Sequence, residues 1–325
     1  MPQLSKRVKQ VASFLIASGV IFFFARAVQR NWSEVKAHHF RLDYPLLVFS
    51  FATVIAASLL ASRAWQTAIN VLSESRQLTF PETVATVNTT SLTKYLPGKF
   101  WSYAIQMYWL SARGFSKSLI LYVNLINLVI SLVTGVLLSL VFLLFARGPF
   151  PRSAVLVAFV LLLSLDAICM YFHTRALKLG IALVKRLFKR EMAFFDVSAP
   201  LLIRLHLIHF LAQVVSGIGG FALCAAIGYD LGLNTILLVM ASLILSDTAG
   251  FVVFLVPGGL GVREATMYML LGGAAIGSLA VVFPLVSRML YMGADLALGV
   301  VALQLLRRFI RREPRTDPSQ RVKPL

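Results

Sequence analysis

Charged side chains that flank a helix break inside apolar sequence are the groups in this chain that could do chemistry. Lys94 and Lys99 lie on either side of a Pro97-Gly98 pair within a long apolar segment. An uncompensated charge in hydrocarbon costs several kcal/mol, so ionisable residues there mark sites for ions, protons or substrates. With the free N–H groups of a helix that restarts after the break, the two lysines would form an anion site. Alternatively, they offset the unpaired carbonyl groups of the break.

A second break spans residues 257–261 (PGGLG) and is followed by Arg263 and Glu264. A glutamate at the start of a helix suits the helix dipole, so Glu264 either caps that helix or acts as a proton or counter-ion site. Arg288 and Asp295 are seven residues apart and therefore lie on one face of a later helix. They would pair with each other, or Arg288 would face Glu264.

Further polar residues occur within the apolar segments. The remaining ionisable candidates are Arg63, Asp166, Arg204 and Asp247. Two polar stripes recur at helical spacing, one formed by Asn124, Asn127, Ser131 and Thr134 and the other by His206, His209, Gln213 and Ser216. Such stripes most often hold helices together. No carboxylate lies near the two histidines in the sequence, so no metal site is predicted, and no cofactor-binding motif is present.

Long apolar segments must position these residues. The chain has 325 residues, of which 58% are hydrophobic and 14% charged, a composition typical of a polytopic membrane protein. A helix needs about 20 largely apolar residues to cross a bilayer. The sequence therefore predicts an all-α fold with about six spanning helices, at 11–28, 45–62, 118–145, 153–173, 201–227 and 279–306.

Two further apolar segments, 81–113 and 236–276, contain the breaks. Irregular backbone is tolerated in a membrane only where protein or a polar cavity covers it. Each segment is therefore predicted to form two short helices that enter and leave on the same side, a re-entrant hairpin. Three spans separate the hairpins, so the halves 45–145 and 201–306 would form an inverted repeat, with the breaks at the binding site of a transporter.

The net charge of +18 has a distribution that fits a membrane protein and not a nucleic-acid-binding protein. Basic residues cluster near the N-terminus, at 174–198 and in the C-terminal tail, so the positive-inside rule places both termini in the cytoplasm. The 174–198 stretch is predicted to be an amphipathic helix on the inner membrane surface, and with the span 153–173 it links the halves. Residues 1–312 would form one transmembrane domain, followed by a disordered tail at 313–325.

Both breaks resemble those of a known family. Three motifs carry the resemblance: Leu96-Pro97-Gly98-Lys99, the stretch 257–264 (PGGLGVRE), and Arg63-Ala64-Trp65 at the end of the second predicted span. They are similar to the lysylphosphatidylglycerol synthase transmembrane region, over about residues 10–306. The resemblance implies a flippase for aminoacylated phosphatidylglycerol, in which Lys99, Arg263, Glu264 and Arg288 line the lipid path. No soluble aminoacyl-transfer domain follows position 306, so the resemblance implies that another enzyme supplies the lipid or that the lipid differs.

The sequence thus predicts a flippase of the bacterial inner membrane, a transporter and not a catalyst. Its expected partners are membrane lipids with an anionic or polyprenyl-phosphate-linked headgroup, and a lipid-modifying enzyme acting in trans. The predicted substrate-binding residues are Arg63, Lys94, Lys99, Arg263, Glu264, Arg288 and Asp295. Two alternatives stay open, namely an intramembrane lipid-modifying transferase and a scaffold that recruits a glycosyltransferase or lipid synthase.

Overall fold

The protein is an all-helical polytopic membrane protein, as its sequence predicts. The computed structural model describes residues 29, 32–37, 41–73, 76–91, 101–188, 194–229, 232–253, 259, 261–272 and 277–312, and no strand occurs among them. The helices are α1 (Trp32–Ala37), α2 (Tyr44–Leu72), α3 (Phe80–Ser91), α4 (Trp101–Ser111), α5 (Lys117–Phe145), α6 (Arg152–Tyr171), α7 (His173–Phe188), α8 (Ala199–Ala226), α9 (Leu233–Val252), α10 (Val262–Gly272) and α11 (Gly277–Arg312).

Six of these helices, α2, α5, α6, α8, α9 and α11, are long and apolar enough to cross a membrane. Five of them coincide with predicted spans, whereas the predicted span 11–28 lies outside the described residues. The first arm of the second predicted hairpin, α9, is longer than expected. Its 20 residues rise about 30 Å, the thickness of the hydrocarbon core. The arms α3, α4 and α10 have 12, 11 and 11 residues and rise only about half as far.

The predicted end of the second span near residue 62 is wrong, because α2 continues to Leu72. Its last turns contain Gln66 and Asn70, whose polar groups are satisfied within the protein. Gln66 Nε2 and Asn70 Nδ2 donate to the carbonyl of Leu78 at 2.7 and 2.9 Å, and Leu78 N–H donates to Asn70 Oδ1 at 2.8 Å. Since paired polar groups are tolerated in a buried helix, polarity alone does not end it.

The two helices that flank each break contact each other. Gln106 Nε2 on α4 donates to Thr90 Oγ1 on α3 at 2.9 Å, and Arg263 on α10 forms an ion pair with Asp247 on α9. A continuous helix would place residues sixteen apart about 24 Å from each other. The arms of each segment therefore lie side by side. The breaks themselves, 92–100 and most of 254–260, lie outside the described residues, and re-entry from one side of the membrane stays a prediction.

The two halves of the chain pack against each other in a reciprocal manner. Helix α2 packs along α8, α3 packs against α11, and α9 packs against α5. Suppose that α2, α3, α4 and α5 correspond in order to α8, α9, α10 and α11. The contact of α3 with α11 then becomes the contact of α9 with α5, and the contact of α2 with α8 becomes itself. This is the pattern that a two-fold repeat would give, and the inverted repeat with its halves 45–145 and 201–306 stays a prediction.

A close approach of backbones joins α2 to α8. Ser50 Oγ donates to the carbonyl of Gly219 at 2.7 Å, and a Cβ on Gly219 would overlap the hydroxyl of Thr53. We expect Gly219→Ala to destabilise the protein by about 1–3 kcal/mol, as overpacking does, and to lower its melting temperature in detergent. Thr53→Ala should restore stability in the double variant.

Gly180 on α7 supplies the matched control, since a Cβ there meets nothing within 4 Å. Gly180→Ala should be neutral or stabilising by up to about 1 kcal/mol, because alanine favours a helix. Equal melting temperatures for Gly219→Ala and the unmodified protein would contradict the close packing of α2 on α8.

Helix α7 covers the first part of the predicted amphipathic stretch. Leu177 and Ile181 pack against the protein core, whereas Leu179 and Leu183 are exposed on another face. Residues 189–193 lie outside the described residues, and 194–198 are not helical. The helix is thus found where the sequence predicts one, although it is shorter, and its position on the inner membrane surface stays a prediction. The predicted tail 313–325 also lies outside the described residues.

Candidate functional site

Glu264 is a buried carboxylate in the first turn of α10, with 6% of its surface exposed. Its Oε2 accepts a hydrogen bond from Gly261 N–H at 2.5 Å, which caps the helix. Its Oε1 accepts a hydrogen bond from Arg288 Nη1 at 2.5 Å. Glu264 therefore combines the capping role and the ion-pair role that the sequence left open, and Arg288 contacts one of its two predicted partners.

Arg263, the preceding residue, contacts a different set of side chains. It forms an ion pair with Asp247 of α9, and its guanidinium lies 4.9 Å from the centroid of the Tyr291 ring on α11. A cation over an aromatic face is attracted by the ring quadrupole. The Tyr291 hydroxyl in turn shares a hydrogen bond of 2.6 Å with Ser216 Oγ of α8. Four helices therefore meet around Arg263.

The backbone is tightly packed next to these ion pairs. Gly259 has a φ of +65°, and a Cβ there would lie 2.8 Å from Gly250 Cα. A Cβ on Gly250 would lie 2.6 Å from Arg263 Cγ. Only glycine at both positions lets the chain turn while the arginine reaches Asp247.

These contacts define the charged cluster, which comprises Asp247, Arg263, Glu264 and Arg288. Two arginines balance two carboxylates, as burial of charge requires. Asp295 lies on α11 one turn beyond Tyr291 and acts electrostatically on its hydroxyl. Of the predicted site residues, the structure thus brings Arg263, Glu264 and Arg288 together. Lys94 and Lys99 lie outside the described residues.

The family model of the lysylphosphatidylglycerol synthase transmembrane region matches residues 10–299. The chain belongs to this family. The match includes both breaks and the whole charged cluster, and it implies a role connected with membrane lipids. None of the curated proteins matches the chain.

In this member of the lysylphosphatidylglycerol synthase transmembrane region family, Arg63 lies apart from the charged cluster's contacts. Its guanidinium donates to Gln66 on its own helix, and it lies inside α2 and not at the end of a span as the sequence predicted. The neighbouring residue Trp65 begins a neutral network. Trp65 Nε1 donates to Asn124 Oδ1 at 3.2 Å, and Asn124 Nδ2 donates to Gln106 Oε1 at 2.9 Å. Among the described residues, an amide network thus lies near the first break and charges lie beside the second.

The family member also contains an ion pair that the sequence analysis missed. His206 Nε2 on α8 lies 3.4 Å from Asp166 Oδ1 on α6. No carboxylate lies near these histidines in the sequence, but the fold brings Asp166 to His206 from a helix forty residues earlier. His209 Nε2 instead lies 3.1 Å from Asn127 Oδ1. Among the described residues, no group of three His, Cys, Asp or Glu side chains could hold a metal ion.

Proposed function

We propose that this protein moves a lipid with an anionic or zwitterionic headgroup between the leaflets of the bacterial inner membrane. The observation that carries the proposal is the charged cluster, two largely buried ion pairs beside a break between helices. Charged residues at membrane depth are costly and mark the paths of ions and substrates. Membership of a family connected with membrane lipids makes a lipid headgroup the substrate that this site suits.

The chemistry of the cluster favours a phosphate-containing headgroup. Arginine presents several N–H donors in a fork that matches phosphate oxygens. Arg263 and Arg288 are both present, and Lys94 and Lys99 lie in the sequence around the other break. We infer a path between the two hairpins of an inverted repeat, with the headgroup at the arginines and the tails in the bilayer. The headgroup is that of a phospholipid or of a polyprenyl phosphate, and both termini are cytoplasmic.

The pairing of the carboxylates argues for transport over a transferase reaction. Asp247 and Glu264 each form an ion pair with an arginine, and these pairs hold two guanidinium groups beside a break between helices. Two positioned guanidinium groups suit the binding of a phosphate, whereas a transferase would also need a group that removes a proton from its acceptor. A scaffold would not need buried charges at all.

The test uses purified protein in vesicles of phosphatidylethanolamine and phosphatidylglycerol that contain a fluorescent phosphatidylglycerol. A membrane-impermeant quencher then reports how fast the probe moves between leaflets. We expect Arg288→Gln to slow this movement at least about tenfold, because losing one partner of a buried charged contact costs 2 kcal/mol or more. Arg204→Gln is the matched control, since Arg204 lies in α8 but is exposed, and it should leave the rate unchanged.

Fluorescent phosphatidylethanolamine and a labelled polyprenyl phosphate distinguish the headgroup classes in the same assay. Movement of one probe above the rate of protein-free vesicles identifies the class. If none of the three moves faster than in protein-free vesicles, the proposed function is wrong.

A further inference from the structure

Helix α8 carries one file of polar side chains that headgroup binding does not use. His206, His209, Gln213 and Ser216 are spaced by three, four and three residues, so they share one face of the helix. The file extends about 15 Å along the helix axis. Polar side chains aligned in a spanning helix provide hydrogen-bond partners for water and protons where hydrocarbon provides none.

One end of the file is partly exposed. The side chains of His206 and Asp166 are 22% and 20% exposed, although His206 Nε2 itself is buried and Nδ1 is bonded to the Leu202 carbonyl. His206 lies seven residues after α8 begins, and Asp166 lies five residues before α6 ends, so both are within about 10 Å of the membrane face on which α7 follows α6. Histidine is the side chain whose charge changes near neutral pH.

The middle of the file runs past a glycine of α5. His209 is bonded to Asn127 of that helix, and it lies one turn of α8 before Gln213. A Cβ on Gly135 would lie 2.7 Å from Thr248 Oγ1 and 3.3 Å from Gln213 Nε2. Two polar groups from α8 and α9 therefore share the space that a side chain on α5 would fill.

The other end of the file reaches the charged cluster. Ser216 is bonded to the hydroxyl of Tyr291, and the Tyr291 ring faces Arg263, the partner of Asp247. The polar file thus leads from a partly exposed His–Asp pair to a carboxylate beside the proposed headgroup site.

We infer that this file conducts protons and that lipid translocation is coupled to a proton gradient, an inference that rests on the proposed function. A proton taken up by the His206 imidazole passes along the file to the Asp247 carboxylate, which becomes a neutral carboxylic acid. Arg263 keeps its charge, loses its anionic partner and binds the headgroup phosphate. One proton and one phosphate charge enter together, so the net charge of the site is unchanged. By linkage, each then increases the affinity of the site for the other.

The groups around the file, among the described residues, place one negative charge at its partly exposed end. Asp166 of α6 lies 3.4 Å from the His206 imidazole, whereas the partner of His209 is the neutral amide of Asn127. Further titratable or charged groups lie on the helices packed against α8. They are Arg63 of α2, which is bonded to Gln66, Tyr122 of α5, which is bonded to the Phe195 carbonyl, Asp247 of α9, and Tyr291 and Asp295 of α11.

The test imposes pH gradients of either sign on vesicles of phosphatidylethanolamine and phosphatidylglycerol that contain the purified protein and the fluorescent phosphatidylglycerol. A gradient of one pH unit biases the exchange of one proton by up to about tenfold. We expect probe movement to be faster under a gradient of one sign. When an ionophore dissipates that gradient, the rate should return to its value without a gradient. His206→Gln and Asp166→Asn should each make the rate independent of the gradient, whereas Arg204→Gln, two residues from His206, should keep the response.

The outcomes separate this inference from the proposed function. If the rate of probe movement in the unmodified protein is the same under either gradient as without one, proton coupling is wrong and the proposed flippase function stands. A full gradient response in both variants overturns the assignment of the path to α8. If none of the three probes of the preceding subsection moves faster than in protein-free vesicles under any gradient, both proposals are wrong. A trapped pH-sensitive dye supplies an independent readout, because coupled movement must change the internal pH and His206→Gln must abolish that change.

Discussion

Glu264→Gln should reduce lipid movement at least about tenfold while the protein still folds. Glutamine keeps an oxygen that accepts from Gly261 N–H, so the cap of α10 survives. It cannot neutralise Arg288, whose guanidinium is then left largely buried without an anion. Breaking a buried ion pair by removing one partner costs about 3–5 kcal/mol. Part of this cost falls on the lipid-bound state of the protein, which slows lipid movement. The measurement is the quenching assay together with a melting curve in detergent.

Glu82→Gln is the matched control for this change. Glu82 Oε2 accepts from the N–H of Thr79, three residues earlier, at 2.9 Å, as Glu264 does from Gly261. Both glutamates therefore cap the first turn of a short helix. Glu82 is partly exposed, so losing its charge should cost only about 0.3–1 kcal/mol and leave lipid movement unchanged. Equal loss of movement in both variants would mean that Glu264 acts only as a cap.

Gly259→Ala should destabilise the protein by about 2–5 kcal/mol. The residue has a positive φ, which costs an L-residue about 1–2 kcal/mol. Its new Cβ would also lie 2.8 Å from Gly250 Cα and 3.1 Å from the Gly250 carbonyl oxygen, and such overpacking costs about 1–3 kcal/mol. Because both contacts are to backbone, α9 and α10 must move apart, which weakens the Arg263–Asp247 pair. The melting temperature and the response of lipid movement to a pH gradient should therefore both fall.

Gly114→Ala separates the cost of a positive φ from the cost of overpacking. Gly114 also has a positive φ, of 90°, but a Cβ there meets nothing within 4 Å. This variant should cost only about 1–2 kcal/mol and keep the gradient response. If the two alanine variants melt at the same temperature, the contact between Gly250 and Gly259 contributes nothing, and the close approach of the arms at this break is wrong.

Much of the architecture follows from the sequence alone, because hydrocarbon leaves a chain few choices. Long apolar runs must form helices that satisfy their own backbone, so α5, α6, α8 and α11 lie within a few residues of their predicted positions. The Pro-Gly breaks and the charges beside them were also predictable, since proline ends a helix and an intramembrane charge needs a partner. On that basis the sequence predicts one site that contains Arg263, Glu264 and Arg288.

Tertiary structure alone decided which of these charges meet. Arg263 pairs with Asp247 sixteen residues earlier, Arg288 with Glu264 on another helix, and His206 with Asp166 on a helix that contributes little to the core. The length of α2 was decided in the same way, by the backbone of Leu78. A sequence specifies how much polar surface a helix must hide, but the partner that satisfies it depends on which helices pack together. In an apolar medium that pairing determines where charge can reside, and therefore where a headgroup or a proton can enter.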